Sequence, residues 1–342
     1  MSYRVTIKPS NHTFDAQPDD TVLEAALREG YVLAYSCRNG ACGTCKGKVL
    51  EGTVDYGTYQ ADTLPETDRQ QGLALFCQAK PLSDLTIECR EISAVKDIPV
   101  RTLPCRVQAM ERLAADVMRI QLKLPANERL LFLAGQYIDI LMRGGMRRSL
   151  SMANSPENDA VLELHLRNYG GPFSDYVFNK MKEKEILRFE GPLGTFFLRD
   201  QSAKPIIFVA SGTGFAPIKA MIQHALQKGI TRPMSLYWGG RRRGDLYLND
   251  LAESWARDYG VNYVPVLSEA QPEDQWTGRT GFVHLAVLED FPDMTGYQVY
   301  ACGVPLMVEA AHKDFTSRCN LPEDEFYSDA FTPAVPAVPA AP

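Results

Sequence analysis

Residues 37–45 read CRNGACGTC: Cys37, Cys42 and Cys45 fall within nine residues, with Gly40, Ala41 and Gly43 between them. A stretch this rich in small residues has little reason to form a helix or a strand. A disulfide needs two sulfurs and a catalytic thiol needs one. Three thiols on one loop therefore point to a metal centre whose fourth ligand lies elsewhere. Cys77, in LALFCQAK, supplies a candidate, with 31 residues between it and Cys45.

The spacing C-x4-C-x2-C with a remote fourth cysteine is that of plant-type [2Fe–2S] centres. Two irons sharing two sulfides need four thiolates around a flat rhomb. A tight loop can wrap most of that perimeter and a distant segment closes it. The alternative, a structural zinc site, usually takes its ligands as two close pairs, whereas here they fall three plus one. Gly40, Gly43 and Gly47 let backbone N–H groups approach the sulfurs and permit positive φ. Cys89, Cys105 and Cys319 have no comparable context and read as core or surface residues.

At 342 residues the chain is long enough for two or three domains. With 45% hydrophobic and 23% charged residues it can build true cores. No run approaches the roughly 18 apolar residues of a membrane span, and MSYRVTIKPSNHTFD has no apolar leader segment. A cytoplasmic protein is expected, in which the eight cysteines stay reduced. The net charge of −6 argues against a nucleic-acid partner. Residues 1–95 carry 9 Lys and Arg against 13 Asp and Glu. Glu51, Asp55, Asp62, Glu66 and Asp68 form an acidic stretch, either a solvated face or one that steers a basic partner.

The chain changes rhythm twice. Residues 1–92 open with the alternating YRVTIKP and a helix signal, Asp19, Asp20 and Thr21 before VLEAALREG; KGKVLEG and LTIECREI read as strands. Residues 93–102, with Pro99, read as a linker that runs on towards Pro104. From 103 to 200, CRVQAMERL, VMRIQLKLP, GQYIDILMR, VLELHLRNY and ILRFEGP are short alternating runs expected to form an antiparallel barrel, interrupted by the helix FSDYVFNKM. From 203 to 331, strands IIFVA, MSLYWGG, NYVPVLS and QVYACG alternate with helical IKAMIQHALQKG, DLAESWARDYG and PLMVEAAHKDFTSR, which means a parallel α/β sheet. Residues 332–342 are a low-complexity Pro/Ala tail expected to be disordered.

Three further motifs stand in these blocks. Arg148-Ser149-Leu150-Ser151 ends a barrel run, and Gly170-Gly171-Pro172-Phe173-Ser174 opens the barrel's helix, where amides can face an anion. Gly212, Thr213, Gly214 and Pro217 lie between an apolar strand and a helix, the context that gives G-x-G-x-x-[G/P] its meaning. Cys302-Gly303-Val304-Pro305 follows strand QVYA. With the cysteine loop, these make residues 1–92 resemble plant-type ferredoxins. The chain to Phe331 resembles the iron–sulfur flavoprotein reductases that feed bacterial oxygenases, in the ferredoxin–NADP reductase superfamily. The nearest match is to its CDP-6-deoxy-glucoseen reductase-like members.

The resemblance implies a multidomain α+β and α/β chain: a β-grasp-type ferredoxin domain, an antiparallel FAD-binding β-barrel and a parallel α/β NAD-binding domain. It implies that Arg148 holds a flavin phosphate and that Ser149 and Leu150 line the flavin. Ser151 is expected near the reactive flavin nitrogen. Leu150 departs from the family's tyrosine, which stacks on the isoalloxazine. The G-G-x-x-S match assigns Gly170, Gly171, Pro172, Phe173 and Ser174 to the FAD pyrophosphate, with His165, Leu166 and Arg167 as flavin contacts and Phe331 covering a flavin face. Gly212, Thr213, Gly214 and Pro217 are assigned to the dinucleotide, and Cys302, with Gly303 and Pro305, to the nicotinamide. Ser268 and Glu269 stand where NADPH users carry Ser-Arg, which favours NADH. Arg241, Arg242 and Arg243 could instead bind a 2′-phosphate, although NADH users of the family also carry an arginine at position 241.

The implied activity is electron transfer from NADH through FAD to a [2Fe–2S] cluster bound by Cys37, Cys42, Cys45 and Cys77, and on to an oxygenase or deoxysugar dehydratase partner. Alternatives are a stand-alone NAD(P)H–flavin or ferric reductase and a redox-sensing module. Nothing in the sequence fixes the oligomeric state; a monomer is expected.

Overall fold

The computed structural model describes residues 2–95 and 97–331, with Arg143 by its backbone only. The proposed tail 332–342 lies outside the described residues. Contacts divide the chain into two compact units, one ending at Pro99 and the other spanning Val100–Ala330. Among the described residues no helix is long and apolar enough to cross a membrane.

The first unit runs β1 (Tyr3–Lys8), β2 (Thr13–Ala16), α1 (Val22–Arg28), β3 (Lys46–Glu51), β4 (Val54–Asp55), α2 (Glu66–Gln70), β5 (Leu73–Leu75), β6 (Lys80–Pro81) and β7 (Leu85–Glu88). Alternation in β1 buries Val5 and Ile7, and β1 pairs antiparallel with β2 and parallel with β7. The sheet order is β2-β1-β7-β3-β5. Thr21 and Glu24 cap α1 reciprocally, which satisfies two of its free N-terminal amides. The helix buries Val22, Leu23, Ala25 and Ala26 in the same core as Val5 and Ile7. The acidic stretch is partly neutralised: Lys46 Nζ lies 2.6 Å from Asp68, and Arg69 lies 3.1 Å from Glu66.

The second unit opens with β8 (Arg101–Ala114), β9 (Val117–Lys123), β10 (Tyr137–Leu141), β11 (Arg147–Ser151), β12 (Leu162–Arg167), α3 (Pro172–Asn179) and β13 (Ile186–Leu193). These six strands are antiparallel in the order β11-β10-β13-β8-β9-β12. An antiparallel bridge, Met152 to Leu164, ties the two ends together and closes the barrel. The expected linker is shorter than read, because β8 begins at Arg101 and takes in Pro104. There β8 pairs only with β13 (Pro104 opposite Arg188); pairing with β9 begins at Arg106. The missing N–H of Pro104 therefore breaks no ladder bond.

The unit continues with β14 (Ile206–Ser211), α4 (Phe215–Gln227), β15 (Met234–Gly240), α5 (Asn249–Tyr259), β16 (Asn262–Leu267), β17 (Arg279–Thr280), α6 (Val283–Asp290), β18 (Gln298–Gly303), α7 (Pro305–Arg318) and β19 (Phe326–Ala330). All six strands are parallel, in the order β17-β16-β15-β14-β18-β19. The order reverses between β14 and β18, and the crevice at the carboxyl ends of those strands is where such sheets bind ligands.

α4 is held to the barrel by its own side chains. His224 Nδ1 lies 2.9 Å from Glu157 and its Nε2 2.9 Å from Asp200, while Ser155 donates to Gln227. Asp200 raises the His224 pKa first, with Glu157 adding to it against burial. Burial opposes ionisation of Glu157, but His224, the Glu157 backbone N–H and Lys228 together outweigh it and hold that carboxyl below its usual range. The clamp is thus complete between the ordinary values of about 4.5 for Glu157 and 6.5 for His224. It weakens as pH falls through the lowered Glu157 value or rises through the raised His224 value. Thermal unfolding of the intact chain should show wild type losing more stability than His224→Gln between pH 6 and 8.5. Parallel pH profiles for the two would rule the clamp out.

Candidate functional site

The cysteine loop lies between α1 and β3, and its thiols meet in two pairs. Cys37 contacts Cys42, and Cys45 contacts Cys77, with weaker coupling across the pairs. The Cys42 thiol first, then the N–H groups of Asn39 and Ala41, lower Cys37 to about 7. Cys45 and the Gly40 N–H lower Cys77. Their partners Cys42 and Cys45 are pushed up by those same contacts and by burial. The loop amides of Asn39, Ala41 and Gly40 thus favour negative sulfur. Gly40, at φ +76°, is obligatory: a Cβ there would stand 2.7 Å from Thr58 O and 2.9 Å from Tyr59 Cα. Among the described residues no group of three or more His, Cys, Asp or Glu side chains is arranged for a single metal ion. Two pairs suit two irons better than one zinc. Cys89 and Cys105 are raised to about 12, chiefly by burial.

In the barrel, the register of β11 on β10 sets Arg148 and Leu150 opposite Ile140 and Ile138, and Ser149 and Ser151 opposite Asp139 and Tyr137. Ser149 donates to Asp139 at 2.6 Å. Arg147 takes the nearby carboxylates, at 2.9 Å from Glu190 and 3.7 Å from Asp139. Among the described residues no carboxylate pairs with half-buried Arg148, whose Nη1 bonds only the Arg147 carbonyl. That leaves a cation suited to phosphate. Leu150 is half-buried against the barrel core, so at that position the barrel itself takes the apolar contact. α3 starts with Gly171 as N-cap and Pro172 next, with no side-chain cap. A Cβ on Gly170 would meet nothing, and the Gly170 N–H donates to Asn168 Oδ1 at 2.9 Å.

The nucleotide crevice is made by two backbone turns pressed together. A Cβ on Gly214 would lie 2.1 Å from Cys302 O, and one on Gly303, at φ +134°, 2.2 Å from Ser211 Oγ. Ser211 Oγ accepts the Val304 N–H at 2.9 Å. Thr213 is buried in the turn, and Pro217 sits in the first turn of α4, where no donor is needed. Beneath it Phe215 stacks on Trp238 at 3.8 Å, and Trp238 Nε1 donates to Gly212 O at 3.1 Å. Cys302 is fully buried, and burial first, then Asp329, raises its pKa so that the thiol keeps its proton. Pro305 starts α7. Phe331 follows β19 and is half-buried.

The residues at 165–167 alternate between two faces of β12. In β12, Leu162, Leu164 and Leu166 face the barrel core, while Glu163, His165 and Arg167 face the α/β layer and are buried there. The Tyr247 hydroxyl lies 3.0 Å from His165 Nδ1, and His165 Nε2 lies 2.8 Å from Glu163. Glu163 lies 3.1 Å from Lys219 Nζ, which donates to Ala153 O at 2.8 Å. Burial keeps His165 neutral, so Tyr247 O–H donates to Nδ1 and Nε2–H donates to Glu163. Burial pushes the Glu163 carboxyl up, but His165 and Lys219 more than offset it and hold it at about 2. The side chains of His165 and Leu166 thus pack into the junction and the barrel core. Arg167 lies 3.0 Å from Asp245 and 3.3 Å from Asp116. Its Nε and Nη2 nevertheless have no hydrogen-bond partner, and its Nη1 would be 3.4 Å from a Cβ on Gly212. Nε faces Asp116 and Nη2 faces Asp245, so this buried guanidinium is ion-paired on both sides beside the glycine turn.

Sequence reasoning missed Lys219, Tyr247 and Glu163. Lys219 had a signal: it is a lone cation on the buried face of the apolar IKAMIQHA.

Three family models match the chain: a 2Fe-2S iron-sulfur cluster binding domain over 5–82, an oxidoreductase FAD-binding domain over 104–198 and an oxidoreductase NAD-binding domain over 208–313. The chain is 40% identical over 336 residues to the CDP-6-deoxy-L-threo-D-glycero-4-hexulose-3-dehydrase reductase of Yersinia pestis, covering 98% of this chain and 100% of that one. It is 37% identical to the phenol 2-monooxygenase reductase component DmpP of Pseudomonas sp. strain CF600, over 91% and 89% of the two. Among solved structures, the Amycolatopsis cytochrome P450 reductase GcoB superposes with a TM-score of 0.77 at 37% identity, covering 97% of this chain and 100% of that one. The chain belongs to the iron–sulfur flavoprotein reductases, which join a ferredoxin domain to FAD- and NAD-binding domains of the ferredoxin–NADP reductase type. It is an NAD(P)H-dependent oxidoreductase that carries electrons through FAD and a [2Fe–2S] cluster to a partner protein.

Lys219→Met leaves the Glu163 carboxylate buried without its cation, a loss of about 3 kcal/mol. Thermal unfolding should fall by about 10 °C. Adding Glu163→Gln should recover most of it, because the amide oxygen still accepts from His165. A Lys219→Met melting point within about 2 °C of wild type would show that the pair does not hold the junction.

Proposed function

We propose that Cys37, Cys42, Cys45 and Cys77 bind the cluster, Cys37 with Cys42 on one iron and Cys45 with Cys77 on the other. The observation that carries this is the pairing of four thiols under loop amides aimed at sulfur. Arg148, Ser149, Ser151 and the α3 start from Gly170 to Ser174 hold FAD, with Arg148 on phosphate. Gly212, Thr213, Gly214 and Gly303 receive the nicotinamide nucleotide. We assign residues 1–92, 103–200 and 203–331 to these three roles in turn.

When bound, FAD supplies the conversion of a hydride into single electrons and the cluster supplies the one-electron relay. The chain's own part is to bring the donors together and keep the crevice dry. The turns at 211–214 and 302–304 fix the backbone, Thr213 and Cys302 line it without a titrating group, and the Lys219–Glu163 pair sets the α/β layer against the barrel.

NADH is the preferred donor. Glu269 follows β16, its N–H bonded to Arg241 O at 3.0 Å, and a carboxylate there favours ribose hydroxyls and repels a 2′-phosphate. The electron acceptor is an oxygenase or deoxysugar dehydratase component. The relatives support this, since one is named as a hexulose dehydrase reductase and another as a monooxygenase reductase component.

Cys77→Ser should lose the cluster's visible absorbance and the reduction of cytochrome c while NADH still bleaches the flavin at near wild-type rate in stopped flow. Loss of flavin bleaching with FAD still bound would refute the separation of roles. Wild type should favour NADH over NADPH in kcat/KM, and Glu269→Arg should shift the ratio towards NADPH by tenfold or so. A wild-type preference for NADPH would assign control to the arginines at 241–243.

A further inference from the structure

The three consecutive arginines after β15 are not equivalent. Arg241 is exposed, its Nε 3.8 Å from Asp245. Arg242 and Arg243 turn onto the 271–274 segment instead. Arg242 Nε donates to Asp274 Oδ2 at 2.6 Å and its Nη2 to Glu273 at 3.5 Å. Arg243 donates its backbone N–H to Asp274 Oδ1 at 3.2 Å and its Nη1 to the Asp274 carbonyl at 3.3 Å. Asp274 is itself built in: its side chain is only 9% exposed, and it also accepts the Gln271 N–H at 2.9 Å. This cluster sits where the ends of β15 and β16 are tied, Ser268 N–H to Gly240 O at 2.9 Å and Glu269 N–H to Arg241 O at 3.0 Å.

We infer that Asp274 is a specificity-determining residue of the nucleotide site: it holds Arg242 and Arg243 against the 271–274 turn and so keeps two cations from serving a ribose 2′-phosphate. The inference rests on the NADH reading above and deepens it. A 2′-phosphate brings a charge of about −1.5 to −2. It would arrive beside Glu269, Glu273 and Asp274, and to gain a cation it would have to take Arg242 from a charge-assisted contact already made. A ribose hydroxyl needs no cation and meets no such obstacle. Arg242 is 44% exposed, so nothing but its carboxylate partners restrains it, and its planar fork suits phosphate once released. Glu269 acts by repulsion, and Asp274 by withholding the cations that would offset that repulsion.

The test uses the full chain and two probes, adenosine 2′,5′-bisphosphate and 5′-AMP, titrated calorimetrically, with the NADPH/NADH ratio of kcat/KM for ferricyanide reduction measured alongside. Asp274→Asn keeps an oxygen for one of the two backbone N–H groups, that of Arg243 at Oδ1 or that of Gln271 at Oδ2, and drops the charge that holds Arg242. It should tighten bisphosphate binding about tenfold, with far less change for 5′-AMP, and raise the NADPH/NADH ratio by a similar factor. Adding Arg242→Ala should cancel most of the gain. Asp274→Ala, judged on samples with wild-type circular dichroism and flavin absorbance, should behave as Asp274→Asn does. The inference is overturned if neither variant moves the ratio more than twofold, or if the gain survives loss of both Arg242 and Arg243. A wild-type chain that already takes the bisphosphate more tightly than 5′-AMP contradicts the NADH reading itself. A wild type that favours 5′-AMP, with an unresponsive Asp274→Asn, contradicts only the role of Asp274.

Discussion

A buried ion pair, Lys219 with Glu163 at 3.1 Å, joins the two halves of the second unit. Two charges removed from water are costly unless each finds its partner in good geometry. The barrel strand β12 and the α/β helix α4 satisfy that condition only in one register. The register extends along α4, because the helix that carries Lys219 also begins at the Gly212–Gly214 turn and ends at the His224 clamp. A single rigid element therefore links the glycine turn to the flavin barrel at both ends. Hydride transfer depends on reacting atoms being held close and aligned, and this helix is how the chain arranges it.

The chain keeps its titrating groups away from the transfer path. Cys302 is buried and neutral, His165 is neutral between Tyr247 and Glu163, and His224 is occupied with carboxylates on both sides. Electron carriers bound in such a frame need proximity and a fixed field rather than acid–base residues. The cysteine loop works differently: glycines at positive φ and amide donors surround sulfur that is to carry negative charge. Each arrangement places backbone where its ligand needs it, and glycine appears at the points of closest approach, Gly40 against Thr58 O and Gly214 against Cys302 O.

Much of this was legible in the sequence because it depends on local rules. The three-plus-one cysteines, the helix signal at Asp19, Asp20 and Thr21, the change from short alternating runs to strand–helix alternation, and the glycine turn between IIFVA and a helix all carry their own geometry. What was not legible depends on neighbours. Pro104 reads as a linker residue, yet lies in a strand whose second partner begins two residues later. FYSDAF is not among the strands read from the sequence, yet its first five residues form β19 beside β18. The segment HLR at 165–167 does not announce its neighbours: the Leu166 side chain packs in the barrel, while His165 and Arg167 meet Tyr247 and Asp245, some eighty residues on. The arginines at 241–243 read as an available phosphate site until Asp274, some thirty residues on, is seen to hold two of them.

The central claim is that one chain passes electrons from a nicotinamide nucleotide through a flavin to a cluster bound by the four cysteines. Anaerobic titration of the fully loaded chain with NADH, followed by visible absorbance and electron paramagnetic resonance, tests it directly. The account predicts uptake of about 1.5 NADH per chain, two electrons for the flavin and one for the cluster, with a reduced [2Fe–2S] signal that is absent in Cys77→Ser. Saturation at about one NADH per chain, with the cluster still oxidised, would contradict it.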